Sequence, residues 1–529
     1  MKDAMKRNIM KSKPAIVLVL FLALCLNGGC QDGSRVSHSV RSGDGLQAVL
    51  DSGNDLVLEK NTVYEIDETL VYKFDGQTIK TKDAESISDY ATLRIKSPDL
   101  MLLLDGNHKD NIVLENVSLD GNRYRLSTVA KENVTGGGGQ PPLVFFGGNG
   151  AEGQIVRNNV FMSTRTWSTL KVHEGAADIL VEGNIFLGAG TGPRGNGREK
   201  REVPFAWGDA ISCAAKNTIV RNNLIIDPTD VGIVFYGAPG SIAENNVIAS
   251  VSRESLGAIN LVDGFLYPLD DPNHFSYRNT TVRNNYIDAF GSRIHIAIPM
   301  GAGVWVPHLK DRILVGASVH GNTVAGGAAG YGYVVNGVED FKVYGNKSTA
   351  SYSGLADGLN ARKRPDEPGP FLFDPDRIEN CQLQEEFQPC QKHLLHLLRC
   401  NHGDTNDLGY RIYKYGEFEV KAVINAAYLE MLGREPTETE MTENIKWMQS
   451  TQTNADTLRR KLMAGDEFVE KFGRFLPDDL HPYRIELWLD IIDNIQKDSM
   501  KQKDSLPDAE TIYRQAVLRL DRSKIGRSS

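Results

Sequence analysis

Read along its length, the chain repeats one short pattern: an apolar residue, two variable residues, asparagine, and a second apolar residue. It recurs at 113–117, 156–160, 181–185, 220–224, 243–247, 282–286, 319–323 and 343–347, the last two without the final apolar residue. The asparagines, at 116, 159, 184, 223, 246, 285, 322 and 346, lie 23 to 43 residues apart. The short spacings match one three-stranded coil of a solenoid. The long ones match a coil plus an inserted loop of roughly 12 to 20 residues. Runs of Val and Ile broken by Asn-Asn, Gly-Asn and Asp-Gly exclude a helical repeat. Coils stacked about 4.8 Å apart would bring the amides into a hydrogen-bonded ladder. The pattern therefore predicts a mainly β fold, a right-handed parallel β-helix over residues 31–350, followed by a small all-α C-terminal domain.

The ends of the chain read differently. Residues 354–370 are rich in Gly, Pro and charge, and a helical stripe follows in Val420, Val423, Ile424, Ala427, Tyr428 and Met431. Residues 351–408 are thus read as a linker with a Cys/His-containing helix, and 409–529 as a helical module. At the start, Lys2, Lys6, Arg7, Lys11 and Lys13 precede an apolar run over 15–26, too short to span a bilayer and suited to a signal peptide. Gly28-Gly29-Cys30 follows, so residues 1–30 are expected to be a lipoprotein-type signal peptide with Cys30 lipidated and the protein exported to the cell envelope or beyond. Membrane association is expected only through that anchor.

The segment from Gly45 to Leu50 and the strands after it resemble the N-terminal cap of pectate-lyase-like proteins. Trp167-Ser168-Thr169-Leu170, the run from Gly208 to Cys213, the run from Gly237 to Ser241 and the run from Gly257 to Asp263 resemble exported β-helix proteins of the pectin-lyase-like superfamily. The resemblance spans most of 45–350 and implies a fold and a carbohydrate substrate class, but no reaction. Tyr428-Leu429, Leu432-Gly433-Arg434-Glu435-Pro436, Trp447 and Glu467-Phe468 are similar to a helical module related to phycobilisome-linker domains, which implies attachment to a surface partner.

Composition narrows the partners. A formal net charge of −9 opposes nucleic-acid binding, and an acidic substrate would need a local basic patch. Glycine, at 51 residues, fits a chain with many turns.

Candidate chemistry comes from aligning the strand after each asparagine turn by its inward pair: Leu170/Val172, Ile211/Cys213, Ile233/Phe235, Ile259/Leu261, Ile296/Ile298 and Tyr333/Val335. Outward positions then hold Trp167, Lys171 and His173, next Ser212, then Asp230 and Tyr236, then Asn260, then Arg293 and His295. Trp167 and Tyr236 offer stacking faces to sugars, and Ser212 and Asn260 offer hydrogen bonds. Lys171, His173, Asp230, Arg293 and His295 form the catalytic set. Removing a proton beside a carboxylate needs a base next to a cation, which favours a lyase acting on a uronate-containing polysaccharide. A non-catalytic glycan-binding or scaffold protein is the alternative. A hydrolase would use Asp209 and Asp230, although Asp209 alternates inward in this alignment. Asp227-Pro228-Thr229-Asp230 is similar to the Asp-Pro-His-Asp of alginate epimerases, with Thr229 in place of the proton-transfer histidine. The polygalacturonase pattern is absent, Arg293-Ile294-His295 being its nearest approach. Cys390, His393, His396 and Cys400 carry zinc-like ligand types at the wrong spacing, and a disulfide suits them better. No metal and no cofactor is expected; Ca2+ alone is left open.

Overall fold

The computed structural model describes residues 37–40, 45–126, 141–190, 208–251, 255–289, 294–304, 311–326, 329–352, 368–390, 434–451, 482–503 and 506–522, with scattered positions between 420 and 470. Cys30, Arg293, His393, His396 and Cys400 lie outside the described residues.

Each coil contributes one strand to each of three long flanks, and the coils from His274 onward add a fourth, four-stranded sheet. In the coil of Asn223, Ile219–Arg221 is followed by Leu224–Ile226 and then Val231–Phe235. Like strands of successive coils pair in parallel, giving sheets of twelve, ten and eleven strands among the described residues. These are called here the charged, the helix-covered and the site sheet. The repeating connection between the first two strands is a two-residue turn. Its first residue takes the left-handed conformation, as Asn158 (φ 55°), Asn222 (φ 54°), Asn245 (φ 55°) and Asn284 (φ 55°), or as Gly183 and Gly321. Asparagine and glycine are the residues that enter this region most readily.

The second turn residue is the ladder asparagine. Asn223 Nδ2 donates to Val181 O at 3.0 Å and to Asn246 Oδ1 at 2.9 Å, while its own Oδ1 accepts from the backbone and side chain of Asn184. The same bonds run through Asn159, Asn184, Asn246, Asn285, Asn322 and Asn346. Gln384 ends the ladder by accepting from Asn346 N. One asparagine of the expected series is not in it. Ser118 pairs with Val160 and Glu115 with Arg157, so Asn116 matches Asn158 at the left-handed turn (φ 57°) and Val117 holds the ladder position.

The interior is a continuous apolar column, fully buried at Leu170, Ile211, Ile233 and Ile259. The β-helix also runs further than the boundary expected at residue 350: Phe371–Phe373 pairs with the strand Ala329–Val335, and Gln388–Pro389 pairs in turn with Phe371–Phe373.

The C-terminal helices fall into two groups. Val420, Ile424, Ala427, Tyr428, Leu432, Met441 and Met448 form one small core. Arg434 of the Leu-Gly-Arg-Glu-Pro run closes it, bonding Glu440 at 2.9 Å and Glu467 at 2.5 Å. The helices Pro482–Lys503 and Ala509–Arg522 instead lie on the helix-covered sheet. There Trp488, Ile492, Ile512 and Tyr513 pack on Val160, Ile185, Leu224, Val247 and Tyr286. Asn222 Oδ1 accepts from Ala509 N, and Tyr513 donates to Asp288.

Candidate functional site

Of the predicted residues, Trp167, Lys171, His173, Ser212, Asp230, Tyr236 and Asn260 lie along the site sheet, Arg293 falls outside the described residues, and one local feature changes the place of Asp209. Strict alternation would put Asp209 inside, because Ile211 and Cys213 are inside. Instead Ala210 and Ile211 both join the interior, as do Ala258 and Ile259, and Ala297 and Ile298. The strand bends where two consecutive side chains turn inward. The register aligns small residues at the first of them: Ala210, Gly232, Ala258, Ala297 and Gly332. A Cβ on Gly232 would meet Ile248 of the interior at 2.8 Å. The residues flanking the bend therefore share the outer side. Ser212 Oγ donates to Asp209 Oδ2 at 2.8 Å and lies 2.7 Å from Ser168 Oγ. Asp209 thus belongs to the outer face, not to the interior where alternation placed it.

Beside Asp209 stands Asp230, one residue before the strand Val231–Phe235, its backbone N–H donating to Gly208 O at 3.2 Å. Asp263 follows the next strand, Ser255–Asn260. Asp209 and Asp263 are buried and Asp230 is partly exposed. Burial, and then the negative charge of Asp230, push the Asp209 and Asp263 carboxyls well above the usual range. Asp209 Oδ1, Asp263 Oδ1 and Asn260 Oδ1 are buried and accept no hydrogen bond. Buried polar oxygens such as these call for a partner from solvent or from a ligand, an acceptor where the carboxyl holds its proton and a donor where it does not. Among the described residues no three His, Cys, Asp or Glu side chains converge as ligands of one ion.

The preceding coil supplies cations and an aromatic. Lys171 pairs in register with Ser212, and its ammonium sits 5.4 Å from the Trp167 ring centroid. His173 stands edge-on to Phe145 at 5.5 Å and 3.6 Å from Glu174. Burial lowers the pKa of Lys171; burial first, and the Lys171 charge second, lower that of His173. Tyr236 and Asn260 lie on the same face, Asn260 opposite Val234, with its amide against Gly257.

His295 departs from the expected placement. Ser255 pairs with Ile294 and Leu261 with Met300, so the interior pair of this strand is Ile298/Met300. The shift of two residues carries His295 to the row of Asp230 and Leu256, away from Lys171, and it is buried rather than solvent-facing. Asp227 accepts from Val251 N at 2.8 Å in a buried turn, a structural role. Cys213 is interior, as expected, and burial pushes its thiol up to about 12.

No protein-family model matches the chain, and none of the curated proteins does. Solved structures do. An alginate lyase from Paenibacillus sp. is 13% identical, with a TM-score of 0.36, over 60% of this chain and 96% of that one. The catalytic domain of a GH87 α-1,3-glucanase is 10% identical, with a TM-score of 0.34, over 69% of each chain. A surface adhesin of Streptococcus pneumoniae is 10% identical, with a TM-score of 0.35, over 65% of this chain and 86% of that one. With its long all-parallel sheets, this chain is a parallel β-helix protein.

Proposed function

We propose that the protein takes a polysaccharide along the outer face of the site sheet and cleaves it by acid–base catalysis. Asp209 is the proton donor in this reading, and Asp230 its ionised partner. The observation that carries it is the pair itself: two carboxyls brought together by adjacent coils, Asp209 buried with its pKa raised by burial and then by the neighbouring Asp230, and Asp230 partly exposed. Two neighbouring carboxyls in unlike environments, one buried and one open to solvent, suit separate acid and base roles. Trp167 and Tyr236 offer stacking faces, and Lys171 sits where a uronate carboxylate would be neutralised.

A second reading is eliminative cleavage. Burial first and the Lys171 charge second lower the pKa of His173, which suits a base beside a cation. The two give different products. Purified protein is incubated with polygalacturonate, alginate and neutral glucans, and both reducing ends and ultraviolet absorbance of unsaturated uronyl ends are followed. Hydrolysis yields reducing ends alone; elimination yields both. Binding without either product would leave a non-catalytic glycan-binding protein, and absence of binding would end the polysaccharide reading.

A further inference from the structure

After the strand Ser255–Asn260 the chain leaves the coil in a loop that returns at His274–Ser276. Pro268 and Phe275 form an antiparallel bridge there, and Ser276 N donates to Tyr267 O at 2.8 Å. Tyr267, at the turn of this loop, has φ 59°. A residue with a Cβ adopts that left-handed conformation only at a cost in free energy. Tyr267 is fixed from three sides. Its hydroxyl donates to Ala214 O at 2.6 Å, two coils back. Its ring crosses Gly237 of the coil between, where an added Cβ would lie 2.8 Å from the ring. The Lys216 ammonium sits 5.3 Å from the ring centroid.

The ring is half-buried and Lys216 is exposed. An exposed cation–π contact and one hydrogen bond each add only modest stability, which does little more than offset the strained backbone. Stability alone thus gives the arrangement little purpose, and backbone strain held in place this way gathers at ligand sites. The same chemistry occurs a second time in the coil before that of Lys216, where Lys171 lies over Trp167 at 5.4 Å. An aromatic face with an ammonium beside it matches a pyranose ring that bears a carboxylate.

We propose that Tyr267 and Lys216 form a subsite for a uronate residue of the bound polysaccharide, at the end of the outer face beyond His173. The proposal rests on the polysaccharide reading above. It is tested on the full-length protein by calorimetric titration with oligogalacturonate and oligoalginate, and with a neutral gluco-oligosaccharide as control. Lys216→Ala should weaken binding of the acidic oligosaccharides about tenfold and reduce its salt dependence, with melting temperature unchanged, because the lysine is exposed. Tyr267→Phe should bind like the parent, and Tyr267→Ala should bind more weakly. Should Tyr267→Ala fail to fold, Lys216→Ala decides alone. If the parent binds an acidic oligosaccharide and Lys216→Ala binds it equally well, the subsite falls while the polysaccharide reading stands. Equal losses on the neutral control would overturn the uronate class, and a parent that binds nothing would remove both claims.

Discussion

Asn223 and Arg221 sit two residues apart in one turn, yet they should contribute unequally to stability. Asn223 is fully buried and its side chain takes part in four hydrogen bonds to the coils on either side. Arg221 bonds Glu182 at 2.6 Å in a row that alternates Glu115, Arg157, Glu182, Arg221, Glu244 and Arg283 along the charged sheet, with its guanidinium half in solvent. Asn223→Ala strands buried partners and should cost about 3 kcal/mol or more. Arg221→Ala should cost less than about 1 kcal/mol. Chemical denaturation of both variants checks the order. Asp209 gives a pH-dependent case. Its carboxyl keeps its proton in the fold above the pH at which an exposed aspartate releases it. The stability this adds is fully present below about pH 4 and is lost as pH rises through the raised value. Asp209→Asn carries no such proton, so it should melt above the wild type at neutral pH and lose that advantage toward pH 4. A melting curve measured across that range shows the trend or its absence.

At the scale of elements, the helix pair at residues 482–522 makes a separable prediction. Trp488 is buried between these helices and the helix-covered sheet. Trp488→Ala should cost about 3–5 kcal/mol locally and raise amide exchange in 482–522, while the ladder amides stay protected. The same scale explains what the sequence reveals and what it hides. Asparagine at a fixed place in a Val/Ile frame marks seven coils, because buried amides accept no other register. Asn116 misleads because the left-handed turn position also favours asparagine, so composition alone cannot tell the two adjacent sites apart. Asp209 was hidden by the strand bend, whose only sequence trace is a column of Ala and Gly. His295 was displaced because Ile294, Ile296 and Ile298 offer equivalent apolar spacings, and pairing with Ser255 and Leu261 decides among them. Tyr267 gave no periodic signal, being set by a loop that reaches across two coils.

Across the whole molecule, the three flanks are dressed differently: one with alternating charges, one with helices, one with the acid, cation and aromatic side chains of the candidate site. The last is the flank proposed to take a long, extended ligand. Export and anchoring are proposed from the first thirty residues, and Cys30→Ala should move the protein from the membrane fraction to the soluble one; identical fractionation of variant and parent would refute lipidation. The central claim is that Asp209 supplies a proton to a bound polysaccharide, and its most direct test is turnover beside binding in the wild type and Asp209→Asn. On whichever polysaccharide the wild type cleaves, the variant should fold, bind the chain within a few-fold of the wild type, and turn over roughly a hundredfold more slowly or worse. Equal turnover by the folded variant would contradict the account.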